Sequence, residues 1–451
     1  MAGGVWSSQN KVRPGAYINF ETDNLITTEI GTRGIATMAM ELDWGEEGKL
    51  IELNGTDLYN GNSLSKVGFV AEDEKALLPN LALQNAQILK IFRLNKNGVK
   101  AKVTIGNNLT VEAKCTGTFG NKIAIVITAL GEGSNQLNVQ TYANGYLVDN
   151  QIVSNAQQLK ENNFVTFAGE GALTATASTL LTGGTNGTTP TEGTGETTHK
   201  SYADYFEALT IAKWNTMAVV EDNGTIKDDV IAFIRRMREN EGKYVQAVVA
   251  NHGGADYEGI INNICGAEIN GVEIDATQFT AWVAGATAGA EVNESLTGKI
   301  VTDATSIINF KTSEEIVEGL ANGQFLLSLN QDGAIKVEKD INSLHTFTNK
   351  SYIFSKNRVI RELDEIGSGV ASIWENTYLG KVTNDANGRT LFKSSIIDFL
   401  TELRNRGAIE EFSTDAIAVD AGDNIDAVVA TLAVRPLDSM EFLYMTVNIN
   451  Q

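Results

Sequence analysis

The chain has 451 residues, 42% of them hydrophobic and 20% charged, and carries a formal net charge of −21. That length suits roughly two to four domains, and it holds no apolar run near the ~18 residues that would read as a membrane span. So acidic a balance excludes a nucleic-acid binder built on clustered Lys and Arg, and it sets identical copies to repel one another.

The opening MAGGVWSSQNKVRPG has no charged segment leading into an apolar one, so no secretory signal is expected. Cys115 and Cys265 stand far apart, which argues against a disulfide framework and for synthesis in a reducing interior. Lys11 to Phe20 holds a Pro14-Gly15 break followed by alternating Ala16, Ile18 and Phe20. Ile35–Leu42 and Lys49–Leu53 read as strands, Leu77–Gln87 as a helix, and Ile88–Leu94 as a strand buried on both faces.

Around Asn95 the composition turns to Val, Thr, Asn and Gly. Strand-like runs follow at Lys100–Ile105, Leu109–Cys115, Ile123–Leu130, Leu137–Tyr142 and Tyr146–Val153, with Asn-Gly hairpin signals at 97–98 and 144–145. Residues 97–184 therefore read as an inserted small β-sandwich or barrel that folds alone, faces outward and is dispensable for assembly, and 185–198 as a low-complexity linker. Helix, strand and helix signals resume at Tyr202–Leu209, Met217–Val220 and Thr225–Gly242, then a strand at Val245–Ala250. The expected fold class is α+β multidomain. A discontinuous α/β core with a mixed sheet spans 21–96 and 199–345, and an N-terminal arm spans 1–20.

The last domain, 346–451, is expected to be α+β with exchanged terminal strands. Val359–Tyr378 has helical periodicity that Gly367 and Gly369 should break, and Thr390–Arg406 is a strong amphipathic helix closed by Gly407. Val428, Ala430, Leu432 and Val434 alternate as a strand, Arg435-Pro436-Leu437-Asp438-Ser439 interrupts it, and Leu443, Met445, Val447 and Ile449 resume the alternation. Two of the four prolines, Pro14 and Pro436, lie in these terminal strand segments, each after an arginine. Proline in a sheet belongs at edges, starts or bulges. The closing strand is either an edge of the chain's own sheet or a strand donated to another copy.

Catalytic constellations are not evident. His199, His252 and His345 show no metal-ligand spacing, and the Gly254–Gly259 segment has Ile260 and Ile261 where a phosphate loop needs Lys and Ser or Thr. Asn251-His252-Gly253-Gly254 reads as a tight turn, and Asp420, Asp423 and Asp426 as a solvated turn with a weak cation site as the alternative. The small-residue run Trp282 to Ala290 reads as a helix packed closely on a neighbour. No cofactor and no metal are expected.

Four stretches resemble the contractile tail sheath proteins of bacteriophages and phage-tail-like bacteriocins, in particular those of Gram-positive phages and defective prophages. They are Arg13–Ile18, Ala281–Ala290 with Asn293 and Ser295, Asn384–Arg389, and Val434–Glu441 with the strand after it. The resemblance implies a noncatalytic structural subunit, polymerising as stacked hexameric rings around a tail tube and contracting to drive the tube through a cell envelope. Its implied partners are itself as a helical polymer, the tube protein, and baseplate and tail terminator proteins, with no nucleic acid and no membrane insertion. Its place would be a virion tail or tail-like particle made in the host bacterial cytoplasm. The expected inter-subunit strands are Val12, Arg13, Pro14, Ala16, Tyr17, Ile18 and Phe20 at one end, and Arg435, Pro436, Leu443, Met445, Val447 and Ile449 at the other. An expected charged interface joins Lys11 and Arg13 to Asp420, Asp423, Asp426 and Glu441. Rival readings are a noncatalytic surface or adhesion protein and an α/β enzyme.

Overall fold

A computed structural model of the protein describes residues 33–131, 135–195 and 198–449, with the backbone of Ala2–Gly4 and Gly15–Tyr17. Its helices, in chain order, are α1 (Gly55–Tyr59), α2 (Ser63–Val67), α3 (Leu77–Leu83), α4 (Ala203–Ile211), α5 (Gly224–Glu239), α6 (Ala276–Gly289), α7 (Ser313–Ala321), α8 (Asn357–Ile373) and α9 (Ala386–Asn405).

A seven-stranded sheet organises the core, in the order Gln324–Phe325, Ile260–Asn263, Gln246–Ala250, Thr216–Ala218, Ile35–Met40, Ile88–Arg93, Leu50–Leu53. All neighbours are parallel except the last pair, so the sheet is mixed, and it draws strands from both sides of the insertion. Alternation along each strand feeds two faces. Met38, Leu89, Val248 and Ile261 pack under α6, whereas Met217, Val219, Val249 and Ile260 pack with the apolar sides of α4 and α5. Asp275 and Gln278 start α6 with a reciprocal capping box, and Phe279 to Ala288 are all buried, as befits a helix apolar all round. Its glycines are sites of close approach. A Cβ at Gly285 or Gly289 would run into the carbonyl oxygens of Ala82 or Asn85 at the end of α3.

The insertion is a sandwich. Tyr146–Val153, Leu137–Ala143, Ile123–Ala129 and Thr176–Leu180 form one antiparallel sheet, and Val165–Gly169, Leu109–Thr116 and Lys100–Ile105 the other. Asn144 and Gly145 both have positive φ (48° and 86°), the twist a two-residue hairpin requires. Asn97-Gly98 is different: it joins a core strand to a sandwich strand, and its two backbone N–H groups donate to Glu47 (2.9 and 3.1 Å). Nor is the sandwich self-contained, because Trp44, Leu64 and Val70 of the core segment belong to its apolar centre. Trp44 is fully buried, with ring centroids 5.2 Å from Phe119 and 6.1 Å from Phe164. The low-complexity stretch after it lies along the junction. Thr185 and Thr188 bridge to Val99 and Lys96, and the Asn186 carbonyl accepts from Arg93 (3.2 Å) and Asn95 (2.6 Å).

In the last domain α8 does not break at its glycines; it runs from Asn357 to Ile373 and ends in a π-helical turn, Trp374–Tyr378. The loss of helix propensity at glycine is of order 1 kcal/mol, and here absent side chains make room. A Cβ at Gly369 would overlap the Phe399 ring of α9, and one at Gly367 the Tyr244 ring. The domain is fastened to the core by buried ion pairs, Arg238 with Asp364 (2.7 Å) and Arg361 with Asp340 (2.8 Å).

Candidate subunit interface

Beyond α9 the chain forms a hairpin, Ile417–Ala421 with Val428–Leu432, whose inner side chains (Ile417, Val419, Val428, Leu432) join the apolar cluster of α8 and α9. The Asn384–Arg389 motif holds it there. Asn384 Nδ2 donates to the carbonyls of Ile425 and Ala427 (both 2.9 Å), Arg389 donates to Asn384 Oδ1 (2.8 Å), and Asp385 caps α9 by accepting from Gly388 N (2.7 Å). Two strands alone are marginal in water. Among the described residues no other strand pairs with this hairpin, so both outer edges present unpaired backbone groups.

From Arg435 the chain is pinned and then let go. Leu437 N donates to Ala408 O (2.9 Å), Glu410 N donates to Arg435 O (2.9 Å), Pro436 bridges to Ile409, and the Arg435 guanidinium reaches Glu410 (3.5 Å). Asp438 and Glu441 both bind Lys356. After that the apolar alternation stands in solvent: Leu443 is 85% exposed, Met445 73%, Val447 69% and Ile449 88%. Of the two readings of the closing strand, an edge of the chain's own sheet is not realised, since 442–449 pair with no described strand.

At the other end, Ala16 and Tyr17 lie in the short strand Gly15–Tyr17, parallel to Ala2–Gly4. Lys11, Val12, Arg13, Pro14, Ile18 and Phe20 lie outside the described residues. The charged set divides. Glu441 is nearly buried and bound within its own chain, whereas Asp420, Asp423 and Asp426 are exposed on the hairpin and make no ion pair among the described residues. Lys356, which binds the closing arm, carries no sequence signal of its own. The Asn384–Arg389 motif was visible as a pattern, though its clamp on the hairpin was not.

The histidines are dispersed. His252 pairs with Asp228 (3.0 Å), His345 Nδ1 lies 2.8 Å from the Ser343 carbonyl, and His199 bonds to the Lys200 carbonyl (3.1 Å). Among the described residues no group of three His, Cys, Asp or Glu side chains could hold a metal, and no helix is long and apolar enough to cross a membrane.

Three family models match consecutive parts of the chain: a phage tail sheath β-sandwich domain at 96–186, a phage tail sheath central domain at 195–343 and a phage tail sheath C-terminal domain at 349–450. The phage-like element PBSX protein XkdK of Bacillus subtilis is 33% identical over the full length of both chains. The sheath tail protein of Desulfitobacterium hafniense, a solved structure, is 38% identical with a TM-score of 0.78, over 97% of this chain and all of that one. The anti-feeding prophage helical sheath in its contracted state covers 98% of this chain and 100% of its own, with TM-score 0.58; at 10% identity that likeness is one of fold alone.

Proposed function

This chain belongs to the phage tail sheath proteins, a family of structural subunits, and from that premise we propose that its copies stack as hexameric rings around a tail tube and contract as a helical polymer to drive the tube through a cell envelope. Its partners on this reading are other copies, the tube protein, and baseplate and terminator proteins, in a virion tail or tail-like particle assembled in the host cytoplasm. It works without catalysis or cofactor. The family favours this over the surface-protein and α/β-enzyme readings.

The observation that carries the assembly is the exposed closing arm together with a hairpin whose two edges pair with no other described strand. Backbone pairing along an edge gives affinity, and side-chain alternation gives register. We assign the arm's Leu443, Met445, Val447 and Ile449 to the hairpin of a neighbouring copy, and the N-terminal segment around Val12–Phe20 to the same completed sheet. The ends of 1–20 and the hairpin region carry opposite charge. Residues 1–20 have two bases and no acid, and 408–451 have eight acids and one base, net −7.

Deleting residues 442–451 tests this. Side chains buried in their own domain would cost roughly 1.5–3 kcal/mol each on removal, whereas this arm has no such burial in its own chain. The shortened subunit is expected to melt within a few degrees of full length and to form no cylinders by negative-stain microscopy. Removal of residues 1–20 should do the same. A shortened protein that unfolds, or one that still builds tubes, would refute arm exchange.

A further inference from the structure

Resting on that arm-exchange reading, we propose that Lys356 is a positioning residue for the inter-subunit strand: its nearly buried pair with Glu441, joined by Thr297 and the more exposed Asp438, forms an anchor that fixes where the arm leaves its own subunit. The Lys356 ammonium binds Glu441 and, at 3.2 Å, Asp438. Thr297 Oγ1 donates to the other Glu441 oxygen (2.9 Å) and accepts from Asp340 N (2.9 Å). Asp340 in turn accepts from Arg361 (2.8 Å) and from Asn357 (2.9 Å), so the anchor is wired into the ionic joint between core and last domain.

The side chains of Lys356 and Glu441 are only 7% and 6% exposed, although Glu441 stands one residue before an exposed segment and Met440 before it is fully exposed. Sinking a carboxylate and an ammonium at the root of a free arm is costly unless the two are paired. What the pairing achieves is a sharp boundary. The chain is fixed through residue 441 and free from 442, where Phe442 keeps only a loose contact with the Lys339 ammonium (5.7 Å).

A sharp boundary sets the reach. The eight residues 442–449 extend over about 26 Å at ~3.3 Å per residue, so the accepting edge of a neighbour lies within that radius of Glu441. Without the anchor the last fixed point becomes Leu437, held at Ala408. The swinging segment then gains four residues and reaches about 40 Å. The volume it searches rises roughly two- to fourfold, and the effective concentration at the neighbour falls by the same factor.

The experiment measures the critical concentration for polymerisation, with thermal unfolding of the unassembled subunit alongside. Lys356→Ala and Glu441→Gln are each expected to leave the subunit folded and to raise the critical concentration at least about twofold. Lys356→Arg and the swap Lys356→Glu with Glu441→Lys are expected to recover it. A merely structural role would show in the melt and would not track the charge swap. If folded Lys356→Ala and Glu441→Gln subunits polymerise like wild type while deletion of 442–451 abolishes assembly, the anchor is refuted and arm exchange stands. If the deletion still polymerises, arm exchange itself falls and the anchor with it. Should Lys356→Ala fail to fold, Glu441→Gln and the swap decide; a folded swap with no recovery overturns the proposal.

Discussion

Trp44 offers the sharpest test of how the sandwich is built, because it lies outside the inserted residues in sequence and inside them in space. Its ring is fully buried against Phe119 and Phe164, and its indole N–H donates to the Ser65 carbonyl at 2.9 Å. Trp→Ala in a core costs about 3–5 kcal/mol, from lost transfer energy and the cavity left behind. Leu64 and Val70 pack on the same cluster, so the large unfilled volume could not easily collapse. Hydrogen exchange of the full-length protein reads this locally, since amides report the opening of their own cooperative unit. Amides of Ile123–Ala129, a central sandwich strand, should exchange roughly 100- to 4,000-fold faster in Trp44→Ala, at ~1.4 kcal/mol per tenfold. Those of Gln246–Ala250 in the core sheet should change little. An excised 97–184 fragment leaves Trp44 behind and should show the same loss, so the autonomous insertion expected from composition would be at best loosely folded. Unchanged exchange at Ile123–Ala129 in Trp44→Ala, or a fragment as stable as the domain in the whole chain, would refute the reasoning.

Two further outcomes follow from charge. Glu362 is buried, and burial pushes its carboxyl from the ordinary 4.5 up to about 8; Arg358 (3.2 Å) and Arg361 pull the other way, but one oxygen has no partner and the Asp438 carboxylate adds repulsion. Between these values the folded state holds a proton that the unfolded state has released, so this group's contribution is full below pH 4.5 and is lost as pH rises through 8. Glu362→Gln should therefore flatten the fall of the urea midpoint between pH 5 and 8, and an unchanged slope would rule Glu362 out as its source. For the arms, Lys11→Glu with Arg13→Glu should slow assembly most at low salt, where screening is weak. Since Glu441 serves its own chain, Asp420, Asp423 and Asp426 remain as the acidic counterpart. Light-scattering rates that fall equally at all salt concentrations would count against that pairing.

Periodicity carried the core. Buried parallel strands such as Gln246–Ala250 and the amphipathic α5 and α9 announce themselves because each pattern meets one packing environment. The strands Val165–Gly169 and Thr176–Leu180 escaped notice, the second because a Thr- and Ala-rich run, TASTL, has no apolar alternation to read. Gly367 and Gly369 look like helix breakers because propensity is local, whereas their purpose depends on Tyr244 and Phe399, more than a hundred residues before one and thirty after the other. Asn97-Gly98 has the composition of a hairpin turn but is claimed by Glu47, a partner distant in sequence. The closing alternation reads as a strand in the sequence, but the pattern carries no information on its pairing: 442–449 form no strand in the structure and pair with no described one.

That absence has an energetic consequence for assembly by arm exchange. Burying four apolar side chains of the arm gives about 6–12 kcal/mol, while fixing eight backbone residues costs about 8–16 kcal/mol. Backbone bonds to an open edge, at about 0.5–1.5 kcal/mol each, return a few more. One donated arm therefore comes out near balance, and a net charge of −21 on each copy opposes the approach. Two arms meeting at one hairpin change the sum, because the first strand added turns a marginal two-stranded ladder into a wider one and presents the second with an ordered edge. Loss of either arm should then abolish the polymer rather than halve its stability. On the arm-exchange reading, a subunit then adds to a lattice where one arm already lies on a neighbour's hairpin and leaves an ordered edge open for the second.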